Sequence, residues 1–244
     1  MSTATKPSTG LGTRRKMRRF ERFLKRNTDY LTERFGAAEA EDMRAEMLSE
    51  YRELLPQVPD IGGRRNPLTP TLAGSAQAVA LYRIVLRHGG EAQDAGEVLH
   101  RYLQTMVGRV PRPLRFRLLG HHRAKVEKMA RRSQQRRYPD DWVGQVVDGT
   151  GQPFDFGIDW TECGVDKFLR AQGAAEFTPY ICALDYLTAE AAGERLTRTK
   201  TLSWGCDRCD FRFTHPGSTT ATWPPEFAER TCGDAVSPGA VQRR

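Results

Sequence analysis

The stretch Arg198-Thr-Lys-Thr-Leu-Ser-Trp-Gly-Cys-Asp-Arg-Cys-Asp-Phe-Arg-Phe213 decides the fold of the C-terminal half. Side chains alternate in character before Trp204 and again from Cys209 onward, which is the period of half-buried strands. Gly205 lies between the two runs and supplies the backbone freedom of a turn. The pattern predicts an antiparallel hairpin in which Cys209 faces inward beside aromatic rings.

The segment before this hairpin carries further strand and helix signals. Apolar residues alternate with polar residues or glycine from Phe154 to Trp160, which predicts a strand. A weaker strand pattern covers residues 143–147. A short helix is predicted from about Thr161 to Ala171, with Thr161 as its N-cap. Residues 179–187 fit either a helix or a strand.

Upstream of residue 140 the apolar period is helical instead. Gly36, Pro56 and the pair Gly89-Gly90 interrupt this period, and a loop rich in proline and glycine covers residues 56–70. The period predicts helices over residues 13–35, 37–55, 72–88, 94–107 and 114–138.

The predicted fold class is therefore α+β, with helices in the N-terminal half and a mixed α/β domain with an antiparallel hairpin behind them. We expect the helical region to cover residues 13–140 and the α/β domain to cover residues 141–215. A disordered tail at residues 1–12 and a weakly ordered tail at residues 216–244 would flank them.

Charge and hydropathy indicate which kinds of molecule the protein is expected to bind. The net charge of +8 is concentrated in two basic runs, residues 14–26 and 112–137. We interpret both runs as solvated surface, because no helix-turn-helix or zinc-finger spacing is present. No apolar run reaches the length of about 18 residues that spans a bilayer. We expect a cytoplasmic protein that binds neither membrane nor nucleic acid.

The five cysteines are the candidate chemical groups. Their odd number in a chain of 244 residues argues against a disulfide framework. We therefore expect free thiols, metal ligands or catalytic groups, and we interpret Cys232, in the tail, as an incidental thiol. The remaining four are Cys163, Cys182, Cys206 and Cys209. Buried packing is the ordinary role of a free cysteine and remains one interpretation of each.

Two functional interpretations stand beside packing. The Cys206-x-x-Cys209 pair has the spacing of a zinc knuckle, and three thiolates from Cys163, Cys182 and Cys209 would suit a catalytic zinc. Alternatively, the thiolate of Cys209 attacks an electrophilic carbon after nearby positive charge lowers its pKa. The nearest candidate carboxylates for either chemistry are Glu176 and Asp185.

A wider set of motifs occurs in order along the chain. The motifs are Thr161-Glu-Cys163, Gly173-Ala174, Pro179-Tyr-Ile-Cys182, Asp185-Tyr186, Arg198-Thr-Lys-Thr-Leu202, Gly205 and Cys209-Asp-Phe-Arg-Phe213. Together they resemble the L-2-amino-thiazoline-4-carboxylic acid hydrolase family, most specifically at the closing motif. The segment Ile61-Gly62-Gly63 with Asn66 is similar to the middle segment of the family. The resemblance covers roughly residues 40–215.

The resemblance implies hydrolytic opening of a thiazoline, a cyclic amidine-like ring, to an N-carbamoyl cysteine. It also implies a domain similar to ligand-sensing domains of the 4-vinyl reductase type, some of which carry zinc on cysteines. Cys163, Cys182 and Cys209 match the family pattern. Either Cys209 attacks while Asp185 or Glu176 moves protons, or zinc on the three thiolates activates water.

The remaining site residues are candidates for substrate binding. Arg198 could hold a substrate carboxylate through its guanidinium fork. Gly62, Gly63 and Asn66 could bring backbone close to the ligand, although a plain turn explains them as well.

We expect a hydrolase that acts on a small heterocyclic, amino-acid-derived substrate and requires no cofactor, with zinc as the alternative. Two other functions stay open: a cyclase or lyase of specialised metabolism on the same scaffold, and a non-catalytic metal-binding or ligand-sensing module. The sequence does not fix the oligomeric state.

Overall fold

A computed structural model of the protein describes residues 10–108 and 122–219, together with Trp223 and Cys232. Its architecture is α+β, as predicted, with most helices in the N-terminal part and a four-stranded sheet in the C-terminal part. Most of the two predicted tails lies outside the described residues, and so do residues 109–121, which include the start of the second basic run. The first helix begins at Gly10, inside the tail that was expected to be disordered.

Eight α-helices lie within the described residues. They are α1 (Gly10–Arg26), α2 (Thr28–Phe35), α3 (Ala37–Leu54), α4 (Thr69–Arg87), α5 (Ala92–Gly108), α6 (His122–Ser133), α7 (Gly164–Ala171) and α8 (Thr178–Ala192). None of them is long and apolar enough to cross a bilayer. Residues 179–187, for which the sequence fitted either a helix or a strand, lie within α8 and are helical.

Two helix boundaries differ from prediction. The single helix expected over residues 13–35 is broken at Asn27, whose side chain donates a hydrogen bond to the carbonyl of Phe23 over 2.7 Å. Such local bonds compete with the helical ladder. The predicted N-cap Thr161 is wrong as well, because the preceding strand continues to Glu162 and Cys163 occupies the N-cap of α7.

Helix α4 is the central element of the helical part. Its buried residues point in every direction around the helix, from Leu72 through Leu81 to Val85. It packs against α3 and α5, and also against α7 of the C-terminal half. One apolar core consequently continues from Phe20 in α1 to Phe213 in the sheet.

The sheet has the order β1-β2-β4-β3, and all neighbouring strands are antiparallel. Its strands are β1 (Val143–Asp148), β2 (Phe156–Glu162), β3 (Arg195–Thr197) and β4 (Cys209–Thr214). Trp160 pairs with Cys209, Ile158 with Phe211 and Phe156 with Phe213. Directly paired residues point to the same side of a sheet. Cys209 therefore shares a face with aromatic and aliphatic side chains, as predicted.

The hairpin itself differs from the prediction. Its first strand is Arg195–Thr197, and residues 198–208 form a loop with a 3-10 turn at Leu202–Trp204. Gly205 completes that turn at φ 79°, in the left-handed region that favours glycine. The loop leaves the strand path because Asp210 binds it: the carboxylate accepts hydrogen bonds from the backbone N–H groups of Thr199 and Lys200, at 2.8 and 2.6 Å.

Candidate active site

Three free thiols converge where α7, α8 and β4 meet. Cys163 caps α7, Cys182 lies in the first half of α8, and Cys209 begins β4. A charge on Cys182 would raise the pKa of Cys163, a charge on Cys209 would raise that of Cys182, and a charge on Cys163 would raise that of Cys209. The fold thus brings together the three cysteines that match the family motif, across 46 positions of sequence.

Burial controls the protonation of these thiols. It raises the pKa of Cys163, Cys182 and Cys209 to about 12 in each case. All three are therefore neutral at pH 7. Because ionising one thiol disfavours ionising the next, the cluster supports one thiolate at a time.

Several groups oppose the effect of burial. The positive charge of Arg198 lowers the pKa of both Cys182 and Cys209. The backbone N–H of Leu202 donates to the sulfur of Cys209 over 3.2 Å, and the hydroxyl of Ser203 donates to Cys182. These donors are positioned to stabilise a thiolate once a base removes the proton.

Arg198 is the central charged group of the site. Its side chain is only 1% exposed, and Nη1 donates to Oδ2 of Asp185 over 3.0 Å while Nη2 donates to the carbonyl of Cys182 over 3.0 Å. The guanidinium also lies 5.1 Å from the ring centre of Tyr186 and 4.9 Å from that of Phe211. Burial acts to lower its pKa, but Tyr186, Asp185 and the thiols raise it, so it stays charged.

Asp185 connects this charged centre to solvent. Its side chain is 44% exposed and lines a crevice of about 90 Å³ between α8 and the strands β3 and β4. Phe211, Phe213 and Leu196 form the apolar wall of the crevice on the sheet side. Burial raises the pKa of Asp185 and Arg198 lowers it, and the net direction is upward. A carboxyl group of this kind can both accept and return a proton.

The other predicted carboxylate, Glu176, does not join the cluster. It is exposed, and it accepts a hydrogen bond from the hydroxyl of Tyr82 on α4. The ring of Tyr82 in turn stacks on Phe177, with the ring centres 5.0 Å apart. These contacts fasten the start of α8 to the helical part of the protein, which is a structural role.

The predicted substrate-binding loop also uses its polar groups internally. The N–H groups of Gly62 and Gly63 donate to Oδ1 of Asp60, over 2.9 and 3.0 Å. Asn66 is buried and donates to Oδ2 of Asp141 over 2.8 Å. The loop thereby joins the helical part to the residues that precede β1, and the turn explanation accounts for it.

Metal binding is not supported by the arrangement of side chains. Within residues 10–108 and 122–219, no group of three or more histidine, cysteine, aspartate or glutamate side chains is placed to hold a metal ion. The zinc-knuckle interpretation of the Cys206-x-x-Cys209 pair is excluded on separate grounds, since Cys206 is not a free thiol.

Cys206 and Cys232 form a disulfide. The expectation of free cysteines was therefore wrong for this pair, and Cys232 is not an incidental thiol. The two residues are 26 positions apart, and the odd number of cysteines concealed the pairing. Sequence reasoning also missed Leu202, Ser203 and Asp210, which hold the loop against the thiols. Asp210 and Ser203 could have been suspected, because both residue types favour loops by bonding nearby backbone.

Comparison with known proteins identifies the family of the chain. No curated protein and no solved structure is detectably similar to the chain. The model of one protein family, L-2-amino-thiazoline-4-carboxylic acid hydrolase, matches residues 73–213. The match contains Cys163, Cys182, Asp185, Arg198 and Cys209, whereas the Gly62–Asn66 loop lies outside it. Because it covers more than half of the sequence, the chain belongs to the L-2-amino-thiazoline-4-carboxylic acid hydrolase family.

Proposed function

We propose that this protein is a hydrolase that opens a small cyclic amidine, of the thiazoline-carboxylate type, with Cys209 as the nucleophile. The observation that carries the proposal is the position of Arg198. Its buried guanidinium lies beside two thiols and is hydrogen-bonded to a carboxylate that reaches an open crevice. Nucleophile, base and electrostatic stabiliser are thus neighbours in a partly desolvated site.

The crevice is the candidate entry for the substrate. Its volume of about 90 Å³ is several times the roughly 10–15 Å³ that a single water molecule needs by the same measure, so a small ring or one end of one can enter. The ring of Phe211 offers a flat apolar wall, and Asp185 offers a hydrogen-bond acceptor for amidine N–H groups. A planar, nitrogen-rich ring complements both surfaces.

The reaction proceeds in two steps. In the first, Asp185 removes the proton of the Cys209 thiol, and the sulfur attacks the ring carbon that is bonded to one sulfur and two nitrogens. The bond from that carbon to the ring sulfur then breaks, and protonated Asp185 returns the proton to the departing thiolate. In the second step, water attacks the same carbon and displaces Cys209, which leaves a carbamoyl group on the product nitrogen.

Arg198 acts through its positive charge and does not bind the substrate with its guanidinium group. Its two terminal nitrogens already donate to Asp185 and to the carbonyl of Cys182. It favours the thiolate of Cys209 and holds Asp185 through the hydrogen bond from Nη1. The substrate carboxylate that Arg198 was expected to hold therefore needs a different partner.

Thiazoline turnover by the purified protein tests the proposal directly. The appearance of N-carbamoyl cysteine would be followed by mass spectrometry for the wild type, Cys209→Ser and Cys182→Ser. We expect Cys209→Ser to lose about 10³-fold or more in rate, as enzymes do without their nucleophile, while its circular dichroism spectrum is retained. Cys182→Ser should retain more activity, because Ser203 and Arg198 remain.

Two results would overturn the proposal. Near-normal turnover by Cys209→Ser together with loss in Cys182→Ser would move the nucleophile to α8. Saturable binding of thiazolines by the wild type without any turnover would favour the ligand-sensing alternative.

A further inference from the structure

The disulfide between Cys206 and Cys232 lies directly beside the catalytic loop. Cys206 follows the Leu202–Trp204 turn and is three residues before Cys209. The backbone N–H of Cys232 also donates to the carbonyl of Trp204 over 3.1 Å. Cys232 therefore contacts the loop that carries this turn through a covalent bond and a hydrogen bond.

The turn is the part of the protein that supports the thiolate. Leu202 donates its N–H to the sulfur of Cys209, and Ser203 donates its hydroxyl to Cys182. Within the turn, Trp204 and Cys206 donate their N–H groups to the carbonyl of Thr201, at 3.1 and 3.2 Å. Whatever holds Cys206 in place also holds these donors in place.

The two cysteines of the disulfide differ in their exposure to solvent. Cys206 is 7% exposed, whereas Cys232 is exposed. A thiolate from solvent can therefore reach the sulfur of Cys232, and Cys206 is the leaving group. Exposed disulfides are the ones most readily reduced.

Trp223 makes a second contact, away from the disulfide, that would remain after reduction. Trp223 stacks on His100 of α5 with ring centres 4.2 Å apart, and it lies edge-on to Tyr180 of α8. Loss of the disulfide would thus release the turn while the contacts of Trp223 remain. This arrangement makes the change local and reversible.

We propose that the Cys206–Cys232 disulfide is a redox-sensitive modification site that controls the catalytic thiol, and that its reaction partner is a dithiol reductant. One thiolate of the reductant attacks the sulfur of Cys232, the Cys206–Cys232 bond breaks, and Cys206 leaves as a thiolate that takes up a proton. The second thiol of the reductant then displaces Cys232 and closes the reductant into its own disulfide. Two electrons pass to the protein.

Reduction has two opposite consequences for the site. The Leu202–Trp204 turn loosens, so Cys209 becomes more accessible to small reagents. The same loosening removes the ordered donors from Cys209 and Cys182, so turnover falls. The statement about turnover rests on the proposed function, whereas the statement about accessibility does not.

Alkylation of the full-length protein by iodoacetamide tests this inference. Rates would be measured for the oxidised wild type, the wild type reduced with dithiothreitol, and Cys232→Ser. Trypsin cleaves after Arg208 and so places Cys206 and Cys209 on different peptides, which allows each thiol to be followed by mass spectrometry. Cys163, on its own peptide, serves as the internal reference.

We expect Cys209 to react about tenfold faster or more after reduction, because local opening governs the access to a buried thiol. Cys232→Ser should show the faster rate without reductant and should not respond to dithiothreitol. Reoxidation of the wild type should restore the slow rate, which separates a reversible switch from misfolding of the variant.

Equal Cys209 rates in oxidised and reduced wild type would overturn the inference. So would a disulfide between Cys206 and Cys209 after partial reduction, since it would make Cys209 the attacking thiol. If no thiazoline is turned over by any form, the proposed function fails, and the alkylation rates still decide the redox inference.

Discussion

Arg198 donates from Nη1 to Oδ2 of Asp185 over 3.0 Å, yet the two side chains face different surroundings: that of Arg198 is 1% exposed and that of Asp185 is 44% exposed. The ion pair therefore has one end in the interior and the other at the crevice. Such a pair can carry the effect of a buried charge to a solvent-accessible carboxylate. The two residues should accordingly respond to substitution in different ways.

Asp185→Asn should remove proton transfer and leave the fold intact. We expect turnover to fall by about 10²- to 10⁴-fold, the usual contribution of a general acid or base. The amide still accepts a hydrogen bond from Arg198, but the buried guanidinium loses its anionic partner, so the melting temperature should fall as well. Steady-state kinetics and thermal unfolding check the two statements.

Glu176→Gln is the matched control for that substitution, since its carboxylate binds Tyr82 rather than a thiol. Its turnover should stay within about threefold of the wild type, a difference of under 1 kcal/mol. A larger loss in Glu176→Gln than in Asp185→Asn would reverse the two assignments.

Arg198→Met should chiefly destabilise the protein. Removing one partner of a buried ion pair typically costs about 3–5 kcal/mol, and partial exposure of Asp185 places the expected loss at the low end of that range. Urea unfolding measures it. Arg170→Met provides the comparison, because Arg170 pairs with Asp166 on the surface of α7 and should change stability by about 0.5 kcal/mol or less. Equal losses in the two variants would contradict the burial of the Arg198 charge.

The thiol cluster should make stability fall at alkaline pH. Burial raises the pKa of Cys163, Cys182 and Cys209 to about 12, whereas thiols in the unfolded chain have a pKa near 8.5. The folded protein thus keeps protons that the unfolded chain releases. This contribution to the free energy of unfolding is complete below about pH 8.5 and is lost as the pH rises toward 12.

Urea unfolding between pH 7.5 and 10 measures this dependence. Each thiol adds at most about 1.4 kcal/mol per pH unit to the slope, so Cys182→Ala should give a shallower decline than the wild type. Tyr30, whose pKa burial also raises to about 12, contributes mainly above pH 10, where unfolded tyrosine ionises. A slope unchanged by Cys182→Ala would show that its thiol titrates normally.

Asp210→Ala should release the loop from β4. The carboxylate accepts from two backbone N–H groups and from the hydroxyl of Thr199. Hydrogen bonds to a charged group contribute about 1.5–3 kcal/mol, so we expect a stability loss of that size. Amide hydrogen exchange should quicken at Thr199 and Lys200. Unchanged exchange at Thr199 would mean that another contact holds the loop.

The parts of the fold that sequence predicted are those with local causes. The stripe of apolar residues in α3 and the alternation in β2 depend on neighbours within a few positions, and both elements lie where they were expected. The inward face of Cys209 follows from the same alternation. Local period is enough to place each of these residues.

The parts that sequence did not predict have distant causes. Residues 198–201 alternate like a strand, but the carboxylate of Asp210 accepts the N–H groups of Thr199 and Lys200, so a regular strand ladder does not form there. Arg198 was interpreted as a candidate substrate ligand. It is buried because Asp185, Tyr186 and Phe211 surround it from two other elements. The pairing of Cys206 with Cys232 has no local signal at all.

Because α4 lies at the centre of the core, truncating the chain within α4 should disrupt its folding. The family match begins at residue 73, within α4, and leaves out α1, α2 and α3. A fragment of residues 73–213 would carry every thiol of the cluster, but it would expose apolar side chains of α4 that α3 now covers. Such a fragment should aggregate rather than fold. Residues 73–213 thus match the family by sequence, but we do not expect them to fold without α1 to α3.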